Sequence, residues 1–211
     1  MRPLTDRTPK PLLPVGGHPL IVWHLERLAA AGIREVVINH AHLGDQIESL
    51  LGDGEAWGVG IRYSEEPAGA LETAGGIANA LPLLGDDPFL VVNGDIFCDW
   101  DVARAATGLA SGELAHLVLV PNAPHHPLGD FSFEGGKVGA DGTPKYTFAG
   151  IGIYRPELFA GIARGQRAAL APLLREAMAA GRVSGELHAG RWHDVGTPEC
   201  LAALDREISS L

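Results

Sequence analysis

The chain has 211 residues with a formal net charge of -10, enough for one domain with a real core and short for two. The charge excludes a nucleic-acid partner, since a binding face needs clustered Lys and Arg and none occurs. With two cysteines, 46% hydrophobic residues and no apolar run of about 20 residues, the composition points to a reduced, soluble cytoplasmic protein with no membrane span or disulfide framework.

Along the chain the pattern alternates helix and strand. Residues 19–31 read as a helix with Ile21, Leu25 and Leu28 on one face, Pro19 at its start and Gly32 at its end. Residues 35–39 (EVVIN) read as a short buried strand, 43–51 as an amphipathic helix closed by Gly52, and 60–64 (GIRYS) as a strand. Residues 73–84 read as a helix, and 89–92 (FLVV) as a strand covered on both faces. A helix over 101–109, a strand over 115–120 and a hairpin over 129–138 turning at Gly135-Gly136 follow. Residues 146–154 form a longer strand, and Leu170, Leu173, Leu174, Ala177 and Met178 a helical stripe. Strands over 183–188 and 192–195 precede a final helix opened by Thr197 as N-cap and Pro198 at its first position. The repeated βα units predict a single α/β domain over 1–211. Its central sheet is expected to be mostly parallel and flanked by helices, with a small antiparallel addition.

In such a sheet ligands bind beyond the carboxyl ends of the strands, so chemistry is sought just after apolar runs. Asp95 follows FLVV directly, in VVNGD. It suits a ligand crevice, and it equally suits a turn. Asp194, in RWHDVGTPE, closes a short strand, and the helix start that accounts for Thr197 and Pro198 does not account for it. Two strand-end carboxylates could hold one Mg²⁺ whose shell substrate phosphates complete, which would let an acidic protein handle phosphates. Lys10 is fixed between Pro9 and Pro11, useful for a phosphate contact and unnecessary for a surface lysine. In EEPAGALETAGGI, Gly75 and Gly76 open a helix whose amides could face an anion or a base edge; a simple turn accounts for them as well. The pairs His40/His42 and His125/His126 read as solvated loop histidines rather than metal ligands, because no acidic or Cys partner has ligand spacing.

Together these segments resemble the sugar-1-phosphate nucleotidyltransferase family. RPLTDRTPKPLLPVGGHPLI is similar to the stretch that follows the family's Gly-rich signature, ALETAGGI to its base-binding loop and VVNGDIF to its metal-binding strand end. FAGIGIY is similar to the sugar-binding strand and WHDVGTPECL to the second metal site. The five occur in family order over nearly the whole chain. VINHAHLGDQIE, HHPLGDF, APLLREAMAAGRVSGE and WHDVGT look like the branch that transfers uridylyl groups to N-acetylmuramate 1-phosphate in peptidoglycan recycling. The resemblance implies a Rossmann-like nucleotidyltransferase fold, with Mg²⁺ on Asp95 and Asp194 and triphosphate contact by Lys10. It further implies nucleoside recognition around Glu66, Glu72, Thr73 and Gly75, and sugar contacts near Gly150 and Asp130. The substrates it implies are UTP and a sugar 1-phosphate, handled by a monomer or weak homo-oligomer. A thymidylyl- or guanylyltransferase and a non-catalytic sugar-nucleotide-binding domain are the alternatives. The family also opens on a strand and an L-A-A-G-x-G-x-R loop that have no counterpart before Met1. The expectation is a sheet lacking its first strand, beside Val36–Asn39 and Phe89–Val92. One smaller departure is Ala74, where the branch often has Gly.

Overall fold

A computed structural model describes residues 1–67, 71–124 and 126–210. The chain folds as two compact units. One comprises Met1–Gly69, Asn93–Ala103 and Arg191–Leu211, and the other Ala70–Val92 and Arg104–Gly190. Each is stitched from separated stretches of sequence.

The first unit starts with two 3₁₀ turns, Leu4–Asp6 and Lys10–Leu12, and a minimal hairpin of β1 (Pro14–Val15) and β2 (His18–Pro19). Helix α1 (Leu20–Ala30) follows, then β3 (Glu35–His40), α2 (Gly44–Leu51) and β4 (Gly60–Glu65). Strands β3 and β4 pair in parallel from Glu35↔Gly60 to His40↔Glu65. Ile21, Val22 and Leu25 of α1 pack with Ile47 and Leu51 of α2 and with Val59 and Ile61, which is why both helices carry one apolar stripe.

The chain then crosses into the second unit for α3 (Glu72–Leu84) and β5 (Phe89–Val92). It returns to the first for β6 (Ile96–Cys98), whose three residues are all buried.

In the second unit, β7 (Ala115–Val120), β8 (Phe131–Glu134), β9 (Lys137–Gly139) and β10 (Lys145–Tyr154) are followed by α4 (Leu170–Ala179) and β11 (Val183–Leu187). With β5 the strands form a six-stranded sheet in the order β5-β10-β7-β11-β9-β8, with β10 also pairing β8. Its core gathers Leu117, Leu119, Tyr154, Phe159, Leu174 and Val183. The chain ends with β12 (Trp192–Asp194), antiparallel to β6, and α5 (Pro198–Ser209), both in the first unit. The Thr197 hydroxyl caps α5 by accepting from the Cys200 amide.

Three expectations need correction. Among the described residues only β3–β4 and β7–β11 pair in parallel; the other seven pairings are antiparallel, so the strands are mixed rather than mostly parallel. An apolar run such as FLVV carries no direction: β5 runs antiparallel to β10, and its four residues are half-buried rather than covered on both faces. The expected helix over 101–109 is only a 3₁₀ stretch, Val102–Thr107, stopped where Gly108 turns left-handed with φ 67°. His40 is not a solvated loop residue: it ends β3, is buried, and bonds Glu48 Oε1 at 2.7 Å. A Cβ on Gly44 would overlap its ring, which accounts for the glycine in HLGD. His42 is exposed, and His125 lies outside the described residues. Among the described residues, β3 pairs only with β4 and β5 only with β10.

Candidate active site

In the first unit, strand pairing brings together the backbone segments that carry Asp95 and Asp194, distant in the sequence. Antiparallel pairing of β12 with β6 sets Asp194 opposite Ile96, and the Val195 amide donates to the Asp95 carbonyl at 2.9 Å. Asp95 and Asp194 thereby occupy neighbouring backbone positions, one in the turn that enters β6 and the other at the end of β12. Gly196 leaves room for the second carboxylate: a Cβ there would come within 3.2 Å of Asp194 Oδ2.

Lys10 joins this pair. Its ammonium donates to Asp95 Oδ2 at 2.8 Å. The backbone explains why: Pro9 enters the 3₁₀ turn in extended geometry, and Pro11 lies so close to Gly94 that a Cβ at position 94 would be 3.3 Å from its Cγ. The absence of a side chain at 94 lets the Lys10 turn sit against the Asp95 strand end. Both partners remain partly open to solvent, as a site meeting phosphates requires.

Glu66 follows β4. Its amide donates to the His40 carbonyl at 2.8 Å, and its carboxylate accepts from Asn39 at 2.7 Å.

The other expected contacts lie in the second unit. Glu72 opens α3 with φ 61°, a left-handed conformation uncommon outside glycine and often found at functional positions. Arg167 holds its carboxylate at 2.7 Å. The segment carrying Arg167 crosses the start of α3, where the Ala168 amide donates to Leu71 O at 2.9 Å and the Gly75 amide donates to Ala168 O at 3.0 Å. Gly75 is buried against Gln166 and its amide bonds within the protein, whereas Glu72 and Thr73 are exposed. Gly150 lies, at φ 76°, inside a register shift of β10 against β7 between Phe148 and Gly152. Asp130 braces this irregularity. Its Oδ2 accepts from the Phe148 amide at 2.8 Å, and its Oδ1 lies 3.1 Å from His126 Nε2.

Sequence reasoning missed Arg167 and the bracing role of Asp130, whose partners are remote in sequence. It also missed His24, one turn before Leu28 on α1, whose Nε2 is buried with no hydrogen-bond partner among the described residues. A polar residue within the Ile21–Leu25–Leu28 stripe was the available signal.

The donors Asp95 and Asp194 are hard oxygens on neighbouring strand ends. Among the described residues no third His, Cys, Asp or Glu joins them into a closed ligand set. That suits a Mg²⁺ ion, which keeps water and substrate oxygens in its shell and takes one or two carboxylates from the protein.

The nucleotidyl transferase family matches residues 1–210. The chain is 60% identical over 203 residues to N-acetylmuramate alpha-1-phosphate uridylyltransferase of Neisseria meningitidis serogroup B, covering 93% of this chain and 88% of that protein. It is 33% identical over 223 residues to the Caulobacter vibrioides protein of the same name, covering 99% of this chain and 92% of that one. A Bacillus anthracis structure described as a glucose-1-phosphate thymidylyltransferase in complex with a sucrose superposes with a TM-score of 0.86 at 23% identity, covering all of this chain and 91% of that one. The last likeness is one of fold.

Proposed function

Since the chain belongs to the nucleotidyl transferase family, we propose that it transfers the uridylyl group of UTP to N-acetylmuramate 1-phosphate, yielding a UDP-sugar and pyrophosphate for peptidoglycan recycling. The observation that carries the reading is the 60% identity to the meningococcal enzyme over nearly all of both chains. We take residues 1–211 as one nucleotidyltransferase domain acting in the cytoplasm, where UTP is made, as a monomer or weak homo-oligomer. No described helix is long and apolar enough to cross a membrane.

In the proposed reaction an oxygen of the sugar 1-phosphate attacks the α-phosphorus of UTP; the new P–O bond forms as the bond to pyrophosphate breaks. Two anions must approach, so the protein's task is positioning and charge stabilisation. Mg²⁺, when bound, neutralises phosphate charge and fixes the phosphates relative to one another. Asp95 and Asp194 would hold it; the β6–β12 pairing, which sets Asp194 opposite Ile96, supports this reading. Lys10, 2.8 Å from Asp95, would exchange that carboxylate for the triphosphate as nucleotide arrives. Exposed Glu72 and Thr73, with Glu66, would contact the nucleoside, and Gly75 would let the Ala168 segment pack against the start of α3. The irregular stretch of β10 at Gly150, braced by Asp130, would meet the sugar.

The test is a panel of sugar 1-phosphates and nucleoside triphosphates followed by Mg²⁺-dependent pyrophosphate release. N-acetylmuramate 1-phosphate with UTP should exceed N-acetylglucosamine or glucose 1-phosphate. A preference for dTTP or GTP would reassign the enzyme within its family, and ligand binding without pyrophosphate release would leave a binding domain.

A further inference from the structure

We infer that Asn39 and Glu66 together select the nucleobase, as a donor and an acceptor that fit a keto base such as uracil and reject an amino base such as cytosine. The inference rests on the placement of Glu66 at the nucleoside proposed above and adds Asn39 to it.

The pair stands where parallel strands bind their ligands. Strands β3 and β4 run in parallel with Asn39 opposite Ser64 and His40 opposite Glu65, so their carboxyl ends lie together. In open α/β sheets ligands bind beyond such ends. Glu66 is the first residue past β4, and its amide donates to the His40 carbonyl at 2.8 Å. His40 is itself buried and held to Glu48 at 2.7 Å, with Gly44 leaving room for its ring. Successive side chains of a strand point to opposite faces, so Asn39 projects away from this buried histidine and is exposed. The backbone beneath the pair is therefore fixed at the end of β3, and above it the two side chains meet: Asn39 Nδ2 donates to Glu66 Oε1 at 2.7 Å.

A carboxylate only accepts, so the Asn39 atom that faces it must be the nitrogen. That nitrogen carries a second N–H, and a carboxylate accepts several hydrogen bonds through its two oxygens. The pair thus sets an N–H donor next to a carboxylate acceptor. Uracil offers the complement, its C4 carbonyl beside the N3–H. Thymine offers the same, and guanine does so through its C6 carbonyl and N1–H. Cytosine and adenine carry the reverse, an exocyclic amine beside a ring nitrogen lone pair. Charge points the same way: a carboxylate is repelled by a triphosphate and is tolerated against the neutral base, where it meets a donor. A good two-point contact to a base edge discriminates against the wrong base by about tenfold to a hundredfold.

Asn39→Leu removes the donor from an exposed position and keeps similar bulk, and a melting temperature near the parent's checks that the fold is intact. Titration calorimetry of the full chain with UTP, dUTP and CTP in the presence of Mg²⁺ reads the base without turnover. Pyrophosphate release then gives kcat and KM for each nucleotide. In Asn39→Leu the preference for UTP over CTP should fall about tenfold, through binding and KM rather than kcat, while the preference for UTP over dUTP stays within about twofold. Asn39→Gln, which keeps an amide donor, should recover part of the lost preference. An unchanged UTP-to-CTP ratio in Asn39→Leu overturns the inference. So does an equal loss with both nucleotides, the signature of a structural residue, or a fall in the UTP-to-dUTP ratio instead, which would move the pair to the ribose. Glu66→Ala is the separate control. A UTP-to-CTP ratio that falls there and holds in Asn39→Leu overturns the role of Asn39 alone; UTP binding undiminished by Glu66→Ala defeats the placement of Glu66 at the nucleoside as well.

Discussion

Replacing Lys10 should separate stability from chemistry. In Lys10→Met the aliphatic stem survives and the ammonium is lost, together with its 2.8 Å contact to Asp95. The side chains of that pair are 26% and 41% exposed, so water screens the interaction and the pair belongs with surface ion pairs worth about 0.2–1 kcal/mol. For a chain of this size 1 kcal/mol moves the melting temperature by about 2–4 °C, so the variant should melt less than about 4 °C below the parent. Removal of one preorganised charge-stabilising group from a phosphate or oxyanion site lowers turnover about 100–1000-fold. Scanning calorimetry and steady-state kinetics with varied UTP and varied sugar 1-phosphate measure both quantities. Lys10→Arg should recover only part of the activity, because the guanidinium has a different reach and donor layout. Unchanged UTP kinetics in Lys10→Met would return Lys10 to the surface. A melting temperature lowered by about 8 °C or more, with activity falling in step, would make it a structural residue.

Asp95→Asn and Asp194→Asn should each lower kcat by orders of magnitude, and the double variant should be scarcely worse than either; additive losses in the rate assay would break the shared-metal reading. Asp130→Ala strips the Phe148 amide of its acceptor and should destabilise the protein by about 1–3 kcal/mol in urea titrations, with sugar KM rising more than UTP KM; a shift in UTP KM alone would remove Asp130 from the sugar side. His24 has a pKa lowered from 6.5 to about 4, so the unfolded chain binds the extra proton first. Its contribution to stability is complete above pH 6.5 and is lost as pH falls toward 4. His24→Asn should flatten the stability profile across that window, and an identical slope in both proteins would contradict the buried neutral imidazole.

The parts of the site that could be read in sequence are those whose signal is local. Asp95 stands directly after a run of apolar residues, and Asp194 is the one residue of its segment that helix capping leaves unexplained. Lys10 is marked by its flanking prolines. What failed to show is tertiary. Strand β6 is three residues long, too short for any periodicity, yet its pairing with β12 is what brings the segments of Asp95 and Asp194 next to each other. Gly75 resembles an anion-binding turn in sequence, and only the crossing segment at Ala168 shows that its amide is already bonded. Strand direction was likewise hidden, because FLVV packs equally well in either sense. His24 interrupts an apolar stripe, a visible anomaly whose buried Nε2 has no partner among the described residues.

The order of strands in the second unit has a consequence for synthesis. Strand β11 lies between β7 and β9, both of which leave the ribosome well before it. Until residues 183–187 emerge, the edges of β7 and β9 lack their shared neighbour. The nascent sheet, already joined through β10 and β8, must leave those edges open or let them make temporary pairings. The first unit waits longer still, since β6 gains β12 only with residues 192–194. With the proposed metal site, catalytic competence would wait for the last stretch to be translated. Pausing or premature termination before Asp194 would release polypeptides that hold most of the sheet and cannot bring the two carboxylates together. Translation arrested at successive codons, read by limited proteolysis, should show protection of β7 appearing only after β11 has cleared the exit tunnel.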